Sequence, residues 1–277
     1  MNTRDSAAST ARAAQDSTAF RVLARVGYVV LGILHILIGG IAISIATGGG
    51  GENADQGGAL QQIQESPAGV FLLWLIVLGL FALAIWQIAE AVIERDPDTK
   101  KMWAHRAKFV GTAVAYLAIG ATALIYALGG QSQSSESSQS FSARLLAAPA
   151  GVVLLVLVGL GVAAVGIAFI VRGITRAFME HLSVPSAKAR SGITAFGVAG
   201  YVAKGIAVGV AGVLFVIAAL THDPETAGGL DSALRALAGL PFGAVILWVV
   251  GAGLALYGLF CFCLLYTSDA ADDLLCV

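Results

Sequence analysis

Six uninterrupted apolar runs, at about 22–46, 68–94, 107–129, 150–171, 196–220 and 242–262, constrain this chain more than any other feature. Each is near or above the ~20 residues that cross a bilayer as an α-helix. In hydrocarbon every backbone N–H and C=O must be satisfied internally, which a helix does within its own segment. The sequence therefore predicts an all-α integral membrane protein with six transmembrane helices. Composition agrees: 58% of residues are hydrophobic and only 12% charged, against roughly a quarter charged in soluble domains.

The first run is preceded by MNTRDSAASTARAAQDSTAF, a polar tail rich in Ser, Ala and Arg. That tail and the length of the run argue against a signal peptide and for an uncleaved, disordered segment over 1–19. Lys and Arg are retained on the cytoplasmic side. Thirteen of them flank one set of span ends: Arg4, Arg12, Arg21, Arg25, Arg95, Lys100, Lys101, Arg106, Lys108, Arg172, Arg176, Lys188 and Arg190. The alternate loops, 47–67, 130–149 and 221–241, hold only Arg144 and Arg235 against seven acidic residues. Both termini are thus expected in the cytoplasm, with the protein in a bacterial plasma membrane.

The chain repeats three times. Pro67-Ala-Gly69, Pro149-Ala-Gly151 and Pro241-Phe-Gly243 precede the even spans, followed by Gly79, Gly161 and Gly253, all at successive offsets of 82 and 92 residues. In the odd spans Tyr28, Phe109 and Tyr201 align at offsets of 81 and 92, as do Gly39, Gly120 and Gly212. Each unit is a two-helix hairpin, which divides the chain into repeats at 20–96, 97–182 and 183–262. The proline suits a first helical turn, and Ser66 is placed to cap the second span. Ile63, Leu145 and Leu237 mark a small outer helix ahead of each proline. Two helices per unit make the hairpins parallel, about a pseudo-threefold axis along the membrane normal.

The stretches GALQQIQESPAGVFLLWLIVLGL and SALRALAGLPFGAVILWVVGAGL, with RVGYVVLGILHILIGG and GVAGYVAKGIAVGVAG, resemble the bacterial membrane proteins grouped as domain of unknown function 1206. The resemblance covers about 20–262 and implies three tandem two-helix units, with no activity attached. The middle unit departs most, with Phe141-Ser142 where the others have Ala59-Leu60 and Ala233-Leu234. Beyond Phe262, the stretch Cys263 through Asp272 resembles a translated transposase sequencing adapter, so residues 263–277 are expected to be artefactual. Without Asp269, Asp272 and Asp273 the acidic residues fall from 17 to 14 against 16 basic ones, and the net charge changes from −1 to +2.

The sequence yields no catalytic, cofactor-binding or metal-ligating residues. It has no His-Glu-x-x-His, P-loop or Gly-x-Ser-x-Gly, and no pair of carboxylates within a span away from its ends. Gly159-Leu-Gly161 imitates a dinucleotide fingerprint but has no strand before it, so it reads as helix packing. Cys261 reads as a small packing residue, and Trp74 and Trp248 as packing or interfacial aromatics. Glu90, Glu94 and His105 read as solvated span ends, and Gln87 as a partner for another helix. The run GGQSQSSESSQS at 129–140 reads as an exposed flexible loop. The glycines of the fifth span, Gly197, Gly200, Gly205, Gly209 and Gly212, permit close approach within the chain or to a protein partner or second copy. Nothing points to nucleic acid; the bilayer itself is the expected partner.

Two basic residues lie within spans, His35 and Lys204. Such groups cost at least ~2.5–3.5 kcal/mol at membrane depth and face the bundle interior or a watery cavity. The repeat offsets make Leu31, Thr112 and Lys204 equivalent, with His35, Tyr116 and Val208 one turn away. A threefold arrangement is thus expected to gather His35, Thr112, Tyr116 and Lys204 into one polar patch; the competing reading has Lys204 snorkelling to the surface and His35 on a backbone carbonyl. Function is read as a structural or accessory membrane component, not an enzyme. The alternative is a small transporter or channel using that patch.

Overall fold

The computed structural model describes residues 18–49, 53–94, 99–179 and 187–264. Its regular structure is helical throughout: α1 (Thr18–Ala46), α2 (Gln56–Gln64), α3 (Gly69–Ile93), α4 (Thr99–Ala127), α5 (Ser134–Leu146), α6 (Gly151–Thr175), α7 (Ala187–Thr221), α8 (Gly229–Ala238) and α9 (Gly243–Leu264), with single 3-10 turns at Ala177–Met179 and Pro224–Thr226. Six of these, α1, α3, α4, α6, α7 and α9, are long and apolar enough to cross a membrane. α4 and α7 run past their apolar segments into Lys- and Arg-bearing turns, because these residues are good helix formers and a helix need not end where the hydrocarbon does. Residues 1–17 of the N-terminal tail and 265–277 of the proposed artefactual tail lie outside the described residues.

Ile63, Leu145 and Leu237 fall in α2, α5 and α8, the three short outer helices. The serine-rich run is a correction to the sequence reading: most of it forms the start of α5. Ser135 and Ser142 are buried, and the hydroxyls of Ser138 and Ser142 donate to the carbonyls of Ser134 and Ser138, four residues back, at 3.0 and 2.9 Å. Internal hydrogen bonding lets a polar stretch pack as a helix. Ser66 also differs. Its hydroxyl donates back to Ile63 O at 2.7 Å, closing α2, while α3 starts after Ala68 without a side-chain cap. Pro67 therefore sits in the connecting turn. What the Pro-x-Gly motif supplies is the glycine: a Cβ on Gly69, Gly151 or Gly243 would strike the carbonyl of Ile63, Leu145 or Ala238 respectively.

Three interfaces dominate the membrane region, α3 with α4, α6 with α7 and α9 with α1. Each joins the second span of one repeat to the first span of the next, so they are threefold equivalents. In the last two, glycines oppose glycines two turns apart. A Cβ on Gly32 would lie 2.9 Å from Gly258 O and one on Gly251 2.8 Å from Gly39 O. Gly159 faces Gly212 O at 2.8 Å and Gly205 faces Gly166 O at 2.6 Å in the same way. At the equivalent places in the first interface stand Val77, Ala84 and Ala113, all buried, with Gly120. Larger side chains fill that seam instead.

The threefold pattern is broken at one place. Within hairpins, α1 packs on α3 and α7 on α9, whereas α4 and α6 barely touch. The spans thus run around an arc in the order α4, α3, α1, α9, α7, α6, open at its two ends. Val153, Leu157, Leu160, Ile167 and Ile174 of α6 are exposed to the bilayer. The outer helices close the ring that the spans leave open. Ala54 N donates to Asp231 Oδ1 at 2.8 Å, Asn53 Nδ2 donates to Gln133 Oε1 at 3.2 Å, and Gln139 Nε2 donates to Glu225 O at 2.8 Å. Each repeat is bonded to the next.

Candidate functional site

The site forms where α1, α6, α7 and α9 meet. Tyr28, Phe109 and Tyr201, the aligned aromatics of the odd spans, are all buried. Tyr201 sits in a shell of four aromatic rings. Phe178 stacks on it at 5.3 Å between centroids, Tyr257 meets it edge-on at 5.3 Å and Phe260 at 5.8 Å, with Phe169 at 6.1 Å. Phe178 reaches this position because α6 stops at Arg176, which takes the left-handed conformation at φ 57°. The following 3-10 turn then drives the ring against Gly197, where a Cβ would collide with it.

Lys204 projects from α7 into this cluster. Its Nζ donates to Tyr257 Oη at 3.2 Å and lies 4.4 Å from the Tyr257 ring centroid and 4.7 Å from that of Phe169. His35, on α1, packs its imidazole against the Tyr257 ring, at 4.7 Å between centroids. Its Nδ1 is 2.7 Å from Leu31 O. A carbonyl only accepts, so Nδ1 carries a proton and donates it, and Nε2 is the nitrogen at which the ring can gain or lose its second proton. Arg172 adds a second cation, its guanidinium 5.6 Å from the Tyr201 centroid. Lys204 lies eight residues inside the apolar run 196–220, about 12 Å at 1.5 Å per residue.

The four residues singled out from sequence are divided by the fold. His35 and Lys204 share Tyr257. Thr112 donates to Lys108 O at 3.0 Å on its own helix, and Tyr116 is buried in the core; both ride on α4, which packs on α3. Lys204 points into the aromatic cluster and not along its helix to the surface, while His35 does bond a backbone carbonyl. Tyr257 is the residue that sequence reasoning missed. Its repeat equivalents are Leu83 and Val165, and that departure from an apolar pattern is the signal that could have marked it. Cys261, one turn on, is buried. Among the described residues no group of three His, Cys, Asp or Glu side chains is arranged to hold a metal ion.

At the polar cap, Asp55 is buried and accepts Gly58 N–H at 3.0 Å. Burial pushes its carboxyl above the usual carboxylate range, and the charge of Asp231 adds to this, while the amides of Gly58, Gly57 and Ser135 act in the opposite direction. Asp231 also accepts from Arg235 Nε at 2.8 Å.

A six-span helical membrane protein built from three hairpins, with a cationic and aromatic cluster to which all three repeats contribute, is the class that fold and site define. The chain belongs to the family described as Domain of Unknown Function (DUF1206), whose model matches residues 26–94, 107–176 and 199–264, one match per repeat. It is 33% identical over 240 residues to Uncharacterized protein YxxB of Bacillus subtilis (strain 168), covering 85% of this chain and 86% of that relative. No solved structure matches.

Proposed function

We propose that the protein is a structural or accessory component of the bacterial plasma membrane, without enzymatic activity, and that both termini face the cytoplasm. The observation that carries this reading is the packing of α1 on α9 and α6 on α7 through opposed glycines, which sets helix backbones in direct contact along the bundle. Backbone contact of this kind favours a fixed assembly over helices that slide or rock. The groove of about 440 Å³ between α7 and α9 is lined by apolar residues such as Val202, Ile206, Trp248 and Leu256, a surface suited to acyl chains, to a partner's helix or to a second copy. Extraction from its own membrane into native nanodiscs tests the proposal: a discrete assembly of fixed stoichiometry is expected, and a lone chain that drives solute flux in proteoliposomes contradicts it.

A second reading rests on the contact of His35 and Lys204 with Tyr257. Ionisable groups touching at membrane depth mark transport paths in many proteins, and His35 Nε2 is where the ring can gain or lose its second proton. Proton or anion flux in proteoliposomes that disappears in His35→Ala and in Lys204→Met would favour this small transporter or channel over the accessory role.

A further inference from the structure

A second basic site lies at the end of the bundle that carries the excess of Lys and Arg. A cavity of about 310 Å³ between the end of α6 and the start of α7 is lined by Thr175, Arg176, Met179, Arg190 and Thr194. Arg176 and Arg190 lie just outside the apolar runs 150–171 and 196–220, so the cavity is at headgroup depth. Neither arginine forms an ion pair among the described residues. Arg176 is held by the buried anchor Phe178 two residues on, which fixes the helix break. Arg190 sits in the first turn of α7, where free backbone N–H groups and the helix dipole favour an anion. The outer face of α6 leading away from the cavity exposes Ile174, Val171 and Ile167, an apolar track along which an acyl chain can lie.

We propose that this cavity binds the phosphate group of an anionic lipid, with Arg176 and Arg190 on the phosphate oxygens and an acyl chain along α6. Two guanidiniums suit a phosphate because each presents paired donors in a plane. The threonine hydroxyls now donate to carbonyls one turn back, Thr175 to Val171 O and Thr194 to Arg190 O, and their oxygens remain able to accept from a glycerol headgroup. The proposal needs only the bilayer and is independent of the accessory role.

The test measures thermal unfolding and lipid retention of the full chain in neutral detergent with added phosphatidylglycerol, phosphatidylcholine or inorganic phosphate. Phosphatidylglycerol is expected to be retained and to raise the melting temperature, with phosphatidylcholine much weaker. The double variant Arg176→Gln, Arg190→Gln should weaken retention about thirtyfold, roughly fivefold per arginine. Lys100→Gln, on another basic turn, should leave it unchanged. If inorganic phosphate protects the wild type equally and displaces the lipid, the same arginines bind a soluble phosphate compound and the lipid assignment is overturned. Equal retention of the two lipids, or no loss in the double variant, overturns the site altogether. Should the double variant fail to fold, Arg190→Gln alone, on an exposed turn, is expected to lose about fivefold.

Discussion

Tyr257 engages Lys204 twice, through its hydroxyl at 3.2 Å and through its ring face at 4.4 Å. The energetics explain why a lysine is tolerated at this depth without a carboxylate. The insertion cost is about 2.5–3.5 kcal/mol, while a desolvated cation–π contact returns about 2 kcal/mol and the hydrogen bond about 1 kcal/mol. Tyr257→Phe keeps the ring and is expected to lower stability by about 0.5–1.5 kcal/mol. Tyr257→Ala removes both and opens a cavity, at roughly 3–5 kcal/mol. In a Lys204→Met background the Tyr257→Ala cost should shrink by about 1–2 kcal/mol, the coupling that thermal unfolding of the four variants reads out.

Some helix glycines face a neighbouring backbone and others face open space. A Cβ on Gly159 would press on Gly212 O at 2.8 Å, whereas one on Gly161 has open space. Gly161→Ala is therefore expected to stabilise by up to about 1 kcal/mol through helix propensity. Gly159→Ala should destabilise in the same detergent, because α6 and α7 must separate. Equal melting temperatures for the two variants would remove the close-packing account of that interface.

Much of the architecture was legible in sequence because hydrophobic run length and repeat offsets report directly on spans and hairpins. Neighbour order was not. A hairpin repeat leaves open whether α9 lies against α1, and the glycine pairs Gly32 with Gly258 and Gly39 with Gly251 acquire meaning only once those helices face each other. The same gap hid Tyr257, an ordinary apolar-span aromatic until α7 and α9 are set in register. Thr112 and Lys204 are equivalent by repeat offset, but equivalent positions meet only near the axis, and α4 stands on another part of the arc. The serine-rich run misled because its composition favours loops, while burial of Ser135 and Ser142 depends on the outer cap.

Asp55 gives the cap a pH dependence whose sign is set by its raised carboxyl pKa. The folded state holds this proton more tightly than the unfolded chain does, for which the ordinary value is 3.8. Its contribution is complete below that value and is lost as pH rises through the folded value. The melting temperature is expected to fall as pH is raised through that window. Asp55→Asn keeps an acceptor for Gly58 N–H and should flatten the profile; an unchanged slope in the variant would assign the dependence elsewhere.

The central claim is that the last span closes on the first through a repeat-equivalent seam. Disulfide trapping in membranes tests it most directly. A Cβ on Gly251 would lie 3.1 Å from Ala42 Cβ, near the ~3.5–4.5 Å of a disulfide. With Cys261, Cys263 and Cys276 replaced by serine, Ala42→Cys, Gly251→Cys is expected to give a linked peptide pair within one chain under mild oxidation. The control Ala42→Cys, Gly161→Cys should stay reduced. Linkage in the control, or none between positions 42 and 251, would contradict the packing of α1 on α9 and the site built upon it.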